Sequence, residues 1–185
     1  MKKSDLRKIY RQKRQDLTHE TIQKLHKNIY DQVFKLDISN VKTVHVFLSL
    51  KKFKEIDTEP IIDFFRRKNK QIVVSKSDFS NSTLRHFLLK ETTEIVINKY
   101  GIPEPINATP ILETEIDLVF VPLLISDEQN YRVGYGKGFY DRFLSSCSKD
   151  CSFIGLSFFP PIAEIEDVNE FDIPLEKLIY PKIKL

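Results

Sequence analysis

The feature that most constrains the fold is a strand, a helix and a second strand that follow one another between residues 43 and 74. Residues 43–48 form a short apolar run typical of a buried strand. Thr58 and Pro60 provide a cap and a first-turn proline for a helix, and residues 71–74 predict the next strand. Units of this kind favour a parallel sheet with right-handed crossovers, so we expect the binding edge at the carboxyl ends of the strands.

Further apolar periods extend this plan along the chain. A helix capped by Ser4 and a second helix starting near Thr18 precede the unit. The later elements are strands at residues 84–89, 95–97, 117–122, 152–156 and 178–183, an extended, turn-rich linker at 101–105 and a helix at 139–145. The pattern predicts an α/β fold, namely a single three-layer α/β/α domain over residues 1–185 with a mostly parallel central sheet. Its last strand should lie at an edge, since it carries Pro181.

Composition excludes several classes of protein. With 185 residues, of which 41% are hydrophobic, the chain can bury one core, and no apolar stretch is long enough to cross a bilayer. The charged start carries no export signal, so we expect a cytoplasmic location, and we expect a monomer. Cys147 and Cys151 should be free thiols, with a disulfide or a weak metal pair as the alternative. No ligand spacing assigns a role to the four histidines, which are His19, His26, His45 and His86.

Positive charge is concentrated near the N-terminus, although the net charge of the chain is only +3. Seven basic residues and one acidic residue stand between Lys2 and Arg14. Arg7, Arg11 and Arg14 recur at helical spacing, so the first helix is expected to carry a basic face. Such a face can track the phosphates of a nucleic acid, and a nucleic-acid-binding module is therefore one hypothesis for the function.

The most informative motif covers residues 131–144, which read Y-R-V-G-Y-G-K-G-F-Y-D-R-F-L. Its alternating glycines stand between a predicted strand and a predicted helix, where backbone N–H groups and the helix N-terminus can bind phosphate oxygens. Arg132 and Lys137 would neutralise a polyphosphate, and Asp141 could hold Mg²⁺. The spacing matches neither the dinucleotide fingerprint nor the Walker pattern. A turn whose glycines only satisfy backbone geometry is the alternative.

This loop resembles the signature of the 5-formyltetrahydrofolate cyclo-ligase family, also called methenyltetrahydrofolate synthetase. Other segments are similar to the family in the same order, namely the basic run from Lys3 to Arg14, Phe47-Leu48-Ser49, Glu55-Ile56-Asp57-Thr58, Gly101-Ile102-Pro103-Glu104-Pro105 and Val168-Asn169-Glu170-Phe171-Asp172. The chain departs from the family pattern at Ser75-Lys76, where the family often has P-R, and at Leu123 and Ser126. The matches span nearly the whole chain, and the departures bear on pocket shape and substrate affinity more than on the reaction.

The resemblance implies an ATP- and Mg²⁺-dependent ligase of folate one-carbon metabolism. In the family reaction the formyl oxygen of 5-formyltetrahydrofolate attacks the γ-phosphate of ATP, N10 closes the ring, and loss of phosphate gives 5,10-methenyltetrahydrofolate and ADP. Positioning and charge neutralisation supply most of such a catalysis, so no protein nucleophile is required. The implied ligands are ATP as co-substrate, Mg²⁺ as cofactor and the folate, with or without a polyglutamate tail. Neither a nucleic acid nor a membrane is implied as a partner.

The resemblance also implies roles for individual residues. Lys137 and Arg132 are the expected catalytic cations. The expected ATP-binding residues are Lys3, Ser4, Asp5, Leu6, Arg7, Arg132, Val133, Gly134, Tyr135, Gly136, Lys137, Gly138, Phe139 and Tyr140. The expected folate-binding residues are Leu48, Glu55, Tyr135, Gly136, Lys137, Gly138 and Phe139, with the Glu55 carboxylate against paired N–H groups of the pterin. The expected Mg²⁺ ligands are Asp141 and Asp172.

Two other hypotheses stay open beside the resemblance. A sugar-phosphate isomerase or an acyl-carrier transferase of a related α/β fold would also use a phosphate-binding loop. Neither of those reactions consumes ATP, so ATP dependence separates them from a cyclo-ligase. Nucleic-acid binding, in contrast, should occur without nucleotide and should weaken steeply with salt.

Overall fold

The computed structural model describes residues 1–183. Its helices are α1 (Lys3–Asp16), α2 (His19–Val33), α3 (Glu59–Arg67) and α4 (Phe139–Ser146). Its strands are β1 (Thr43–His45), β2 (Gln71–Asp78), β3 (Thr83–Leu88), β4 (Glu94–Ile97), β5 (Pro103–Ile106), β6 (Pro110–Ile111), β7 (Leu118–Pro122), β8 (Ile125–Ser126), β9 (Arg132–Val133), β10 (Ser152–Leu156) and β11 (Lys177–Ile179). Short 3₁₀ turns at Lys51–Phe53 and Glu113–Glu115 complete the regular structure.

Seven strands form one mixed sheet in the order β11-β10-β7-β1-β2-β3-β6. The pairs from β11 through to β2 are parallel, whereas β3 and β6 add an antiparallel edge. The parallel strands are buried apolar runs, as their position between two layers requires. The mostly parallel sheet of the prediction is therefore confirmed, and β11 lies at its edge, as the proline-containing segment predicted.

Both faces of the sheet are covered. Helices α1, α2 and α3 pack on the face that carries Val44 and Phe120. The opposite face carries Val119, which lies in a second apolar cluster with Phe143 and Leu144 of α4. Neighbouring residues of β7 thus belong to two different cores, because successive side chains of a strand point to opposite faces of the sheet. The arrangement is the predicted α/β/α layering.

The start of α1 differs from the prediction that Ser4 caps it. The helix begins at Lys3, so Ser4 lies inside its first turn. The Lys3 N–H group donates instead to Asp167 Oδ1 at 2.7 Å, and the N-terminal ammonium group pairs with Glu166 at 2.7 Å. Side chains distant in sequence therefore satisfy the helix start, and local capping rules have no access to them.

Strand β1 ends earlier than predicted, and Thr58 explains why. The Val46 N–H group still donates to Val73, but the Phe47 carbonyl accepts a 2.6 Å hydrogen bond from the Thr58 hydroxyl. The backbone leaves the sheet at that point. Since its hydroxyl is used in this way, Thr58 does not cap α3, and Asp57 Oδ1 accepts from the Glu59 N–H group.

Part of the segment 101–105, predicted as an extended, turn-rich linker, forms a strand. Strand β5 pairs with β4 as an antiparallel ribbon outside the main sheet. The buried Glu104 carboxylate accepts from the Ser77 N–H group at 3.0 Å, which ties this ribbon to β2. The predicted loop before α4 likewise contains a short ribbon, β8 with β9. In each ribbon a strand pairs with the one next to it in the sequence, so proline and glycine marked the turns but not the strand pairing.

Cys147 and Cys151 are free thiols, as predicted. Cys147 follows the last residue of α4 and Cys151 lies beyond the helix, so the two do not share a helical face. Within residues 1–183, none of the helices combines the length and the apolar character that a membrane crossing requires.

Two histidines, for which the sequence offered no role, are buried on the sheet. His45 Nε2 lies 2.7 Å from Ser75 Oγ, and the same oxygen lies 3.1 Å from His86 Nδ1. His86 Nε2 lies 3.7 Å from the half-exposed carboxylate of Glu113. Burial lowers the pKa of His45 well below its ordinary value, and the pKa of His86 to about 4. Both imidazoles are therefore neutral near pH 7.

The neutral histidines predict a loss of stability in mild acid. Below pH 6.5 the unfolded chain binds protons on these imidazoles while the folded chain does not, so the free energy of unfolding falls as the pH falls. For His86, whose folded pKa is about 4, the loss between pH 7 and pH 5 is about 2 kcal/mol. Urea unfolding at both pH values measures it.

A matched pair of variants assigns the effect. His86→Leu should reduce the difference between the two pH values, whereas His19→Gln, on the exposed face of α2, should retain it. An unchanged difference in His86→Leu would contradict this account.

Candidate active site

A cavity of about 830 Å³ opens at the carboxyl ends of the parallel strands. Phe47 and Leu48, which follow β1, line it together with Pro122 at the end of β7 and Ser75 in the second half of β2. The glycine-containing loop before α4, the N-terminal part of α1 and residues 169–173 close its other sides. The binding edge that the strand-helix-strand pattern predicted is therefore the edge that carries the cavity.

The glycine-containing loop is held in its shape by two positive φ angles and by α1. Gly136 has a φ of 92° and Gly138 a φ of 69°, which side chains other than glycine rarely adopt. Arg7 Nε donates to the Gly134 carbonyl at 3.0 Å, and a Cβ atom on Gly136 would lie 3.0 Å from the Arg7 guanidinium. The helix and the loop are thus in close contact, and α4 begins directly after Gly138 with its N-terminus beside the cavity.

Two cations of the site are paired with the two predicted metal ligands. Lys3 Nζ forms an ion pair with Asp172, and Arg132 Nη2 donates to Asp141 Oδ1 at 2.7 Å. Burial lowers the pKa of the Arg132 guanidinium, while the charges of Asp141 and Asp172 oppose that shift. Ribbon β8–β9 fixes Arg132, whose Nη1 also donates to the Ile173 carbonyl. Positive and negative groups therefore alternate along one wall of the cavity.

Asp141 and Asp172 are the two carboxylates of this wall that could hold a magnesium ion. Asp141 Oδ1 also accepts from the Ile173 N–H group, and Asp172 Oδ2 accepts from Asn169. In the described part of the chain, Oδ2 of Asp141 and Oδ1 of Asp172 accept no hydrogen bond. No group of three or more His, Cys, Asp or Glu side chains that could hold a metal occurs within residues 1–183. Mg²⁺ suits such a site, because it commonly binds one or two carboxylates together with phosphate oxygens and waters.

A buried polar network holds Glu55 at the opposite side of the cavity. Glu55 Oε1 accepts from the Tyr135 hydroxyl at 2.5 Å, and Oε2 accepts from the Leu50 N–H group at 2.7 Å. Arg14 Nη1 donates to the Tyr135 hydroxyl at 3.2 Å. Burial raises the pKa of Glu55, whereas these hydrogen bonds and the charge of Arg14 lower it. Each carboxylate oxygen retains a lone pair, so Glu55 can accept two further N–H groups from a ligand.

Aromatic side chains form the apolar walls. Phe53 lies 5.5 Å from Tyr135 between ring centroids, and Phe79 lies 5.4 Å from Phe139 in an edge-to-face arrangement. Phe53 and Phe79 were not predicted as site residues, although Phe53 lies in the loop that carries Glu55. Phe79 follows β2 and reaches the cavity only through the fold. Such walls suit a flat ring system.

Most predicted site residues meet at this cavity. Those that line it are Lys3, Arg7, Leu48, Glu55, Arg132, Gly134, Tyr135, Gly136, Lys137, Gly138, Phe139, Tyr140, Asp141 and Asp172. Four of the predicted ATP-binding residues do not line it. Leu6 and Val133 belong to the core, and Ser4 and Asp5 are exposed on α1. Leu6 precedes Arg7 and Val133 follows Arg132, so the burial of these two apolar side chains fixes the backbone beside each arginine that lines the cavity.

The predicted basic face of α1 is not an exposed stripe. Arg7 and Arg11 line the cavity, and the Arg11 guanidinium lies 5.4 Å from the centre of the Tyr135 ring. Arg14 is buried, and its Nη2 donates to the Leu123 carbonyl. The sequence predicted Arg7 at the site and missed the other two, although their helical spacing from Arg7 was a usable signal. The three arginines are directed at the site, which removes the observation that favoured a nucleic-acid-binding module.

A glycine-containing loop, several cations and an aromatic wall at the carboxyl edge of a parallel sheet are features of an α/β enzyme, and they suit a nucleotide and a ring-shaped second substrate. Comparison with known proteins narrows this class. The family model described as "5-formyltetrahydrofolate cyclo-ligase family" matches residues 1–181. The 5-formyltetrahydrofolate cyclo-ligase of Escherichia coli is 30% identical over 178 residues, which cover 94% of this chain and 97% of the relative.

Two solved structures resemble the whole fold. The NMR structure of Aquifex aeolicus 5,10-methenyltetrahydrofolate synthetase has a TM-score of 0.82 at 25% identity and covers 99% of this chain and 91% of its own. A 5,10-methenyltetrahydrofolate synthetase from Mycoplasma pneumoniae has a TM-score of 0.75 at 20% identity and covers 97% of this chain and 98% of its own. The second likeness bears on the fold alone.

The chain belongs to the 5-formyltetrahydrofolate cyclo-ligase family. It is an enzyme of folate one-carbon metabolism with cyclo-ligase activity, and enzymes of this family use ATP. This membership disfavours the isomerase and transferase hypotheses, because neither of those reactions consumes ATP.

The loop geometry predicts the effect of adding one methyl group. Gly136→Ala should reduce the free energy of unfolding by about 1–2 kcal/mol, since alanine is strained at positive φ. It should also raise the KM for ATP about tenfold, because the new Cβ displaces Arg7. Urea unfolding and initial rates measure the two effects.

Gly134→Ala provides the comparison within the same loop. Gly134 has no positive φ, and a Cβ atom there would meet no atom within 4 Å. This variant should change both quantities less than Gly136→Ala does. Equal effects would show that the backbone angle of Gly136 and its contact with Arg7 are not what matters.

Proposed function

We propose that the cavity binds MgATP and 5-formyltetrahydrofolate side by side, with the formyl oxygen directed at the γ-phosphate. The observation that carries this proposal is that one cavity contains both the glycine-containing loop with its cations and the Glu55 wall with its aromatic rings. Two chemically different halves suit two different substrates. The products are 5,10-methenyltetrahydrofolate, ADP and phosphate.

ATP is assigned to the half formed by the loop and α1. The N–H groups of the loop and the N-terminus of α4 offer donors to phosphate oxygens, and Lys3, Arg7, Arg132 and Lys137 offer positive charge. Lys137 is exposed, and within residues 1–183 its Nζ forms no hydrogen bond or ion pair. It is therefore available to follow the γ-phosphoryl group as this group moves from ATP to the formyl oxygen.

The folate is assigned to the half formed by Leu48, Glu55 and the aromatic walls. Glu55 is fixed by Tyr135 and Leu50, and it retains acceptor capacity for the paired N–H groups of a pterin. Tyr135 belongs to both halves, because it lies in the glycine-containing loop and bonds Glu55. The Tyr135 hydroxyl thus joins the glycine-containing loop to the Glu55 carboxylate.

The chain contributes position and charge to each step. Holding the formyl oxygen in line with the γ-phosphate favours its attack on phosphorus, and the cations stabilise the charge on the phosphate oxygens as ADP leaves. The lone pair of N10 then attacks the formyl carbon and the ring closes. The C–O bond breaks, and the departing phosphate carries away the proton that N10 loses. Asp141 and Asp172 would hold Mg²⁺, which when bound neutralises phosphate charge.

Formation of product can be followed directly by the near-ultraviolet absorbance of the methenyl compound. Purified protein with 5-formyltetrahydrofolate and Mg²⁺ should show a rise with ATP and none without it. Lys137→Ala should lower kcat by about 10²-fold or more, because it removes a charge that acts chiefly in the transition state. Lys149→Ala, an exposed lysine beyond α4, serves as the matched control. A protein that binds ATP but gives no rise would refute the proposal.

Magnesium binding is tested by the dependence of the rate on Mg²⁺ concentration. Asp141→Asn keeps an oxygen for the Arg132 guanidinium but removes the negative charge, so the concentration for half-maximal rate should rise about tenfold or more. Glu170→Gln, which removes a charge at the rim of the same cavity, should shift it less. Equal shifts would mean that Asp141 contributes only its negative charge to the cavity and does not bind Mg²⁺ directly.

The remaining parts of the proposal concern the protein in solution. We propose that it acts as a monomer in the cytoplasm and that the cations around the cavity accept substrates with or without a polyglutamate tail. Light scattering of the active protein would test whether it is a monomer.

A further inference from the structure

The buried pair of histidines meets the cavity at one atom, the hydroxyl oxygen of Ser75. Ser75 lies in β2 and lines the cavity, whereas His45 and His86 lie behind it and are almost completely buried. His45 Nε2 is 2.7 Å and His86 Nδ1 is 3.1 Å from this oxygen. The sequence departs from the family pattern at Ser75, where the family often has proline, so the family pattern assigns the hydroxyl no role.

The two histidines together determine where the hydroxyl proton of Ser75 lies. Both imidazoles are neutral, so the nitrogen of each that lies next to Ser75 Oγ either donates a proton or accepts one. In the part of the chain that the structure describes, neither His45 Nδ1 nor His86 Nε2 has a hydrogen-bond partner, so Ser75 is the side chain that both imidazoles share. The single hydroxyl proton can go to only one of them, so the Ser75 hydroxyl donates to one histidine nitrogen and accepts from the other.

A hydroxyl group that has donated its proton can only accept. Its oxygen carries two lone pairs, of which the histidine that donates occupies one, and the other remains for the cavity. Ser75 thus presents an acceptor and no donor to a ligand. An N–H group satisfies it, whereas a phosphate or carbonyl oxygen would be repelled.

We propose that Ser75 is a specificity-determining residue that accepts a hydrogen bond from an N–H group of the folate, with His45 and His86 as positioning residues that occupy its proton and one of its lone pairs. This inference rests on the proposed function. The position of Ser75 supports the folate over ATP, because β2 pairs with β1 and the Val46 N–H group donates to Val73, which brings Ser75 next to the segment that follows β1. Leu48 and Glu55, the residues of the folate half, lie in the segment that follows β1.

Ser75→Ala provides the main test. The variant should raise the KM for 5-formyltetrahydrofolate about 3- to 10-fold while the KM for ATP stays within about twofold, as loss of one hydrogen bond to a single substrate requires. Ser77→Ala, on the same face of β2 but without contact to either histidine, should raise the KM for the folate less. An unchanged KM for the folate, a rise in the KM for ATP alone, or equal effects of both variants would overturn the inference.

The role of His45 is tested by a double-mutant cycle. If His45 acts through Ser75, then His45→Phe should raise the KM for the folate, and adding Ser75→Ala should raise it no further. Additive effects would contradict the positioning role. Because Ser75 is partly exposed and small, Ser75→Ala decides the main inference even if His45→Phe does not fold.

Failure of the proposed function is distinguishable from failure of this inference. If the unaltered protein gives no methenyl product, titration calorimetry of 5-formyltetrahydrofolate with the unaltered protein and with Ser75→Ala replaces the kinetic test. A 3- to 10-fold weaker dissociation constant for Ser75→Ala would support the inference independently of turnover. Equal affinities, or no binding by the unaltered protein, would overturn it.

Discussion

Parallel pairing of β7, β1 and β2 is the constraint on which the rest of the structure depends. Parallel strands end at a common edge, so the segments that follow them must meet there whatever their distance in sequence. Glu55, Ser75 and the glycine-containing loop are brought to one cavity by this geometry alone. The crossover helices that parallel pairing requires also supply the layers that cover the sheet.

The charges of the site are arranged in compensated pairs. Arg132 with Asp141, Lys3 with Asp172, and Arg14 near Glu55 each bring opposite charges together within the protein. Unpaired charges of this kind would be costly to bury, so the pairing allows these largely buried side chains to remain charged. A charged ligand can then replace one member of a pair as the partner of the other, so no charge is left unpaired. The arrangement suits a reaction in which a charged phosphoryl group moves from one substrate to the other.

The histidine pair is a buried polar cluster of the sheet that reaches the cavity through one side chain. His45 and His86 are neutral, buried and joined by one serine hydroxyl. Burial removes their usual role as groups that titrate near neutral pH, and leaves them as fixed donors and acceptors. Through these contacts, the Ser75 oxygen presents a hydrogen-bond acceptor to the cavity. The same burial links the cluster to the stability of the fold in acid.

The sequence by itself determined the layered α/β fold, most elements and the loop that carries the chemistry, because apolar periodicity and glycine spacing are local properties. Local rules cannot identify contacts with residues further along the chain. Such contacts decide the start of α1, where the Lys3 N–H group donates to Asp167, and the early end of β1, where Thr58 bonds Phe47. Most of the site was predictable from motifs, as were Tyr135 and Phe139 of its walls, whereas the burial of Arg14, the presence of Phe53 and Phe79 and the contacts of Ser75 were not. Those features depend on which faces meet, and only packing of the whole chain fixes that.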